Sequence, residues 1–311
     1  MTHASHDPST LPDPVPDAEP QATGPRSEPS PALAARKSPG KVRWGIAILL
    51  FLLVLINYFD RTNISVIEGA MREEFGLSGG QMGIILSSFL WSYTLMQIPA
   101  GLLLDRFGVK RIVRIATWLW ALACVLTALA GGTGLIIIAR VILGFGESPV
   151  FPGAMKATGY WFSRAERGVA TAIFDSGQRL SNVIGTPLVA LVVVAWGWRA
   201  AFWATAALSI VFAIAWWILY RDPKRAHAEG RLSEGELACI REGGAQDEDQ
   251  VSPNPLASLV YILGRRTMWG LAIGLACAGY TQWMLLTWLP GYLQSALHMD
   301  LASAGFLTAV P

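Results

Sequence analysis

Apolar stretches long enough to cross ~30 Å of hydrocarbon, about 20 residues each, recur from Trp44 onward and alternate with short polar breaks. Six spans are predicted at 44–67, 80–104, 111–131, 134–155, 168–195 and 199–220. A polar stretch at 221–264 separates them from a seventh span at 267–293. An eighth starts at 303 and stops at Pro311. As helix it would reach only about 14 Å, so the chain is expected to be cut short within a second bundle. The pattern predicts an all-α membrane protein in four parts. These are a disordered Pro-rich tail at 1–40, a six-helix bundle at 41–220, an inter-bundle loop at 221–264 and a partial second bundle at 265–311.

Composition agrees with this pattern. Of 311 residues, 53% are hydrophobic and 15% charged, an apolar load that a bilayer accepts and a water-soluble domain could not hide. In the tail, prolines from Pro8 to Pro39 alternate with Ser, Ala and acids, leaving no apolar face to bury and no leader-peptide pattern. Within 221–264, Ser233 and Glu236 have capping-box spacing, which predicts a short helix in a solvated connector.

Charge sets the orientation. Lys and Arg number 5 in the tail, 4 around the second–third loop, 3 around the fourth–fifth loop and 7 in the 221–266 segment. The opposite loops hold only Arg72 and Arg199. The positive-inside rule therefore places the amino terminus and the long loop in the cytoplasm. No basic face or motif for nucleic acid is present. Cys124, Cys239 and Cys277 form neither a disulfide framework nor a metal set, no cofactor motif appears, and no nucleophile–base set points to an enzyme.

Six charges lie inside predicted spans: Asp60, Arg61, Arg140, Glu147, Asp175 and Arg179. A charge at bilayer depth costs at least ~2.5–3.5 kcal/mol, so it normally faces a protein interior or an aqueous path and has a partner. Three acids and three bases suit a path for a charged solute and a coupling proton. At 1.5 Å per residue, Asp60 and Arg61 fall roughly 10 Å from the outer end of the first span and Arg140 roughly 9 Å into the fourth. Glu147 follows seven residues later on the same face. Arg61 is the first candidate for a substrate carboxylate, because a guanidinium stays charged and grips through two parallel bonds. It could instead balance Asp60 or Glu147. Glu147 and Asp60 are the proton candidates, with a structural Glu147–Arg140 pair as the alternative. Tyr58, Tyr93 and Gln178 offer polar tips to hydroxyls, as Arg140 offers charge; Gln282 offers an amide from the seventh span. Asp175 and Arg179, at i and i+4, are expected to pair in a structural or gating role. Gly177, Ser181 and Gly185 form a small-residue strip for helix approach.

After the second span the chain reads Gly101-Leu-Leu-Leu-Asp105-Arg106-Phe107-Gly108-Val-Lys110-Arg111. Gly101 suits close helix packing, Gly108 a tight turn, and Asp105 can accept bonds from a neighbouring helix start or an arginine. This loop resembles the signature loop of the major facilitator superfamily. Asn57-Tyr58-Phe59-Asp60-Arg61, Gly144-Phe145-Gly146-Glu147, Gly197-Trp198-Arg199, Arg221-Asp222-Pro223 and Trp288-Leu289-Pro290-Gly291 are similar to motifs of its anion:cation symporters. The resemblance covers about 41–311 and implies the superfamily's twelve-helix fold, of which this chain has the first bundle, the seventh helix and the start of the eighth.

The resemblance also implies a function. Bacterial relatives import sugar acids such as galactonate, glucarate and hexuronates with protons, by alternating access between two six-helix halves. They bind carboxylate at the position of Arg61, carry protons at the positions of Asp60 and Glu147, and use a tyrosine and a glutamine at Tyr93 and Gln178. The expected partners are a small organic anion, protons and the lipid bilayer of a bacterial inner membrane, with a monomer favoured. The alternative is a membrane sensor or an inert transporter remnant that does not transport.

Overall fold

The computed structural model describes residues 41–249 and 255–296, and of these only the backbone at 62, 65, 255, 256 and 282–296. The tail at 1–40 and the eighth span at 303–311 lie outside the described residues. Among the described residues the chain is all helical, with no strand. The spanning elements are α1 (Val42–Phe75), α2 (Gly79–Phe107), α3 (Val109–Ala128), α4 (Thr133–Glu147), α5 (Val150–Trp161), α6 (Arg167–Trp196) and α7 (Trp198–Leu219). Three short helices follow, α8 (Pro223–Ala228), α9 (Glu234–Glu242) and α10 (Pro255–Leu263), and then α11 (Arg266–Ala296). α4 and α5 together make the fourth span.

Five of these spans are long and apolar enough to cross a membrane: α1, α3, α4–α5, α6 and α7. α2 is long enough at 29 residues, but its serines and glutamines dilute its hydropathy. It starts on a complete capping box that sequence reading missed, with Ser78 accepting from Gln81 N (3.3 Å) and Gln81 Oε1 accepting from Ser78 N (2.9 Å). α1, at 34 residues, runs well past the predicted end at 67. At ~51 Å it exceeds the bilayer, and Arg61 sits near its middle, deeper than the sequence estimate.

The fourth span is interrupted at Ser148-Pro149, where the apolar pattern predicts one continuous helix. Pro149 has no N–H for the carbonyl of Phe145 four residues back. Ser148 Oγ donates to that carbonyl instead, at 3.1 Å.

α1 packs along α6, α3 along α4 and α7, and α2 along α4. Glycine governs these approaches. A Cβ at Gly177 would lie 2.7 Å from Phe51 O, and one at Gly146 would lie 2.8 Å from Trp120 N and 3.0 Å from Ala116 O. Gly101, expected to mark a close approach, faces open space: a Cβ there would meet no atom within 4 Å. The turn at Gly108 has φ +79°, which favours a residue without Cβ. Gly146→Ala is therefore expected to destabilise the bundle by ~1–3 kcal/mol through overpacking against backbone. Gly101→Ala should be neutral or stabilising by ~0.5–1 kcal/mol. Thermal melting in detergent measures both.

Two apolar clusters fill the bundle. One gathers Leu50, Leu53, Trp120, Trp161, Phe174 and Trp216; the other gathers Ile67, Met71, Met82, Ile85, Ile136 and Phe202. Along α1 they are separated by the stretch holding Asn57, Asp60 and Asn63, all buried. Asn63 Nδ2 donates to Thr205 Oγ1 at 2.6 Å, tying α1 to α7 through this layer.

The segment after α7 is not the solvated connector expected from its polarity. Ala226, Leu232 and Ile240 are buried in the first cluster. Trp161 Nε1 donates to Arg221 O (3.1 Å), Arg167 Nη2 to Gly244 O (2.8 Å) and Gln246 N to Gly159 O (2.9 Å). Ser233 caps α9 by accepting from Glu236 N at 3.2 Å. Outside the spans, bonds from Arg225 and Arg221 hold the Glu229 carboxyl below its usual range. Burial pushes the Asp222 carboxyl up, opposed by the hydroxyl of Tyr220.

Candidate functional site

Successive side chains on a helix point about 100° apart, so Asp60 and Arg61 leave α1 in different directions. Arg61 turns toward α2 and α4. Its Nε donates to Glu147 Oε2 at 2.8 Å, with the Glu147 side chain fully buried and that of Arg61 20% exposed. Three aromatic rings surround the guanidinium, with Cζ 4.6 Å from the ring centre of Tyr58, 4.8 Å from Tyr93 and 5.4 Å from Phe89. Such faces attract a cation by roughly 0.5–2 kcal/mol each, more as water is excluded. Phe89 and Tyr93 stack on one another at 5.5 Å.

Local sequence explains how these groups meet. Phe89, Tyr93 and Gln97 recur every four residues, so they share one face of α2. A Cβ at Gly144 would lie 2.8 Å from both Phe89 O and Tyr93 N, so α4 runs flush against that part of α2. Gly146 brings the same turn against α3. Two glycines in Gly144-Phe145-Gly146-Glu147 thus seat α4 on two neighbouring backbones and deliver Glu147 to Arg61.

Asp60 turns toward α3 and is buried, accepting a hydrogen bond from Cys124 Sγ at 3.1 Å. Its Oδ2 has no hydrogen-bond partner. The expectation that Arg61 balances either acid resolves to Glu147. The Glu147–Arg140 alternative is not what forms: Arg140 is buried with Nε and Nη2 unbonded. Seven residues place it about 10 Å from Glu147 along the helix. Glu147 Oε1 is likewise buried and unbonded, with Asn57 beside this carboxylate. Cys124 and Phe89 were missed because an isolated apolar-looking residue carries no signal of its partner.

A cavity of about 420 Å³ opens beside the ring of aromatics, lined by Tyr58, Tyr93, Gln97, Phe151, Pro152 and Met155. Tyr58 and Tyr93 are thus brought to one cavity with Arg61 behind them. Gln97, four residues after Tyr93 on the same face, joins them without having been among the predicted site residues. Gln178 is half-buried on α6 and is not among the cavity's lining residues. Gln282 falls in α11, where its side chain lies outside the described residues.

Asp175 and Arg179 do not form the expected pair: Asp175 is half-buried, Arg179 is exposed, and no ion pair joins them. The i,i+4 spacing permits contact, but the surroundings choose the rotamers. Gly177, Ser181 and Gly185 do face α1, all three buried. At the α2–α3 turn, Asp105 pairs with Lys156 of α5, rather than with an arginine or a helix start. Arg106 lies over the ring of its neighbour Phe107, and Arg111 is exposed.

Comparison with known proteins adds ancestry to this geometry. The family profile described as Major Facilitator Superfamily matches residues 50–311. A Bacillus subtilis (strain 168) protein named uncharacterized transporter YybO is 41% identical over 275 residues, covering 88% of this chain and 62% of that protein. An Escherichia coli (strain K12) protein named probable L-galactonate transporter is 34% identical over 264 residues, covering 85% of this chain and 57% of its own length. The chain therefore spans less than two thirds of these relatives. Among solved structures, a bacterial homologue of the human lysosomal transporter Spinster, inward-facing and occupied, superposes with a TM-score of 0.64 at 20% identity. That match covers 87% of this chain and 59% of the other, and it speaks to fold.

Proposed function

Because the chain belongs to the major facilitator superfamily, whose members are multi-pass membrane proteins, we propose that it forms part of a secondary transporter that imports a small organic anion together with protons. The reading rests on one observation: a guanidinium boxed by aromatic rings and bonded to a buried carboxylate beside a cavity. Once Glu147 leaves it, the planar fork of Arg61 suits a substrate carboxylate. The substrate class is a sugar acid or related carboxylate, in line with the name of the galactonate relative. Tyr58, Tyr93 and Gln97 would meet its hydroxyls.

Coupling follows from competition. An arriving carboxylate displaces Glu147 from Arg61, and a buried carboxylate that loses its cation favours the protonated form. Binding of anion and proton then reinforce one another by the same factor. Asp60, bonded by Cys124 on the other side of α1, is the second proton site, and the buried Arg140 is a countercharge that both acids act on. Residues 41–220 act as one bundle that rocks against a second bundle, of which 265–311 is part. The amino terminus and the 221–264 segment face the cytoplasm, and a bacterial inner membrane is the setting, from the Lys and Arg asymmetry and the bacterial relatives.

Calorimetry on the purified chain tests this reading against aldonates, aldarates, uronates and neutral sugars of matching size. Only the acids should bind, and the heat should vary with buffer ionisation enthalpy as protons are taken up. Equal binding of neutral sugars, or acid binding with no proton uptake near neutral pH, would overturn it.

A further inference from the structure

A second cavity, of about 370 Å³, lies away from the anion site on the face formed by α2, α3 and the end of α4. Its walls are apolar: Met96, Leu103 and Phe107 from α2, Ile115 and Leu119 from α3, and Phe145 from α4. Phe107, Ile115 and Phe145 are exposed large hydrophobics, so the crevice opens outward from the bundle. The interruption at Ser148-Pro149 forms its floor, since Pro149 lines it while Gly144 and Gly146 draw the preceding turn inward against α2 and α3.

One lining residue breaks the apolar pattern. Arg111, exposed near the start of α3, stands at the end of the crevice by the α2–α3 turn. Arg111 forms no ion pair among the described residues, whereas Lys110 beside it sits among Arg221, Arg225, Asp222 and Glu229 and does not line the crevice. Asp105, the acid on the same turn, is bonded to Lys156. From Arg111 to Leu119 the wall runs about 12 Å, within one leaflet of a hydrocarbon core ~30 Å thick. A groove of leaflet depth with an exposed arginine at its mouth calls for an occupant with an apolar tail and an anionic head.

We propose that this crevice is a binding site for an anionic phospholipid, with one acyl chain between α2 and α3 and the phosphate on Arg111. Basic pockets at the polar ends of membrane helices recognise such head groups, each cation contributing about fivefold in affinity. The site is separate from Arg61 and independent of the transport reading.

Native mass spectrometry of the purified chain, titrated with phosphatidylglycerol, phosphatidylcholine or inorganic phosphate, tests it. Phosphatidylglycerol should be retained in preference to phosphatidylcholine, and phosphate alone should not be retained. Arg111→Gln, at an exposed position, should reduce that preference about fivefold. Ile115→Trp should fill the groove and lower retention of both lipids. Equal retention of the two lipids, an unchanged preference in Arg111→Gln, unchanged retention in Ile115→Trp, or retention of phosphate alone would overturn the proposal. Melting temperatures of both variants in detergent confirm that they fold.

Discussion

Arg61→Lys is expected to weaken binding of the anion by roughly 10- to 150-fold. A hydrogen bond to a charged group contributes ~1.5–3 kcal/mol, and lysine supplies a point charge where arginine supplies a planar fork. Lysine also fits the aromatic surround of Tyr58, Tyr93 and Phe89 less well, because a guanidinium stacks on ring faces and an ammonium does not. The variant keeps a cation opposite Glu147, so the bundle should still fold. That separates lost recognition from lost structure. Titration of wild type and variant with the same sugar acid, alongside their melting temperatures, decides the matter. Unchanged affinity would reject carboxylate recognition at Arg61.

Glu147→Gln is expected to separate binding from coupling. Glutamine keeps the shape and accepts a hydrogen bond from Arg61 Nε, but it cannot carry a proton. Wild-type affinity should rise as pH falls through the range in which the displaced carboxylate is protonated, by up to about tenfold per pH unit for one coupled proton. The variant should bind with a flat pH profile. In proteoliposomes holding the protein with both bundles, a pH gradient should drive accumulation by the wild type and only equilibration by the variant. Gradient-driven accumulation that survives in Glu147→Gln would remove this residue from the proton path and leave Asp60, with its bond from Cys124, to carry it.

The residues that reached the cavity show what a linear pattern carries. Spacing alone places Tyr93 on one face of α2 with Phe89 and Gln97, because helical period fixes which side chains share a face. It does not say what that face meets. The partner of Asp105 lies 51 positions away on another helix, and that of Arg61 lies 86 away. For Asp175 and Arg179 the reverse holds: spacing permits a pair, and the fold leaves the two apart. Gly101 sits in a recognisable motif yet borders open space, whereas Gly144 and Gly146 carry the close approaches.

Hydropathy by itself determined that this chain crosses a membrane as a series of helices and that charges are embedded in them, because backbone groups in hydrocarbon must be satisfied within each helix and buried charges stand out against apolar neighbours. Only tertiary structure decided which acid Arg61 holds, that Cys124 reaches Asp60, and that residues after α7 pack onto the bundle. Those outcomes depend on helix rotation and on where glycines let backbones touch, and these are properties of neighbouring helices rather than of any one stretch of chain.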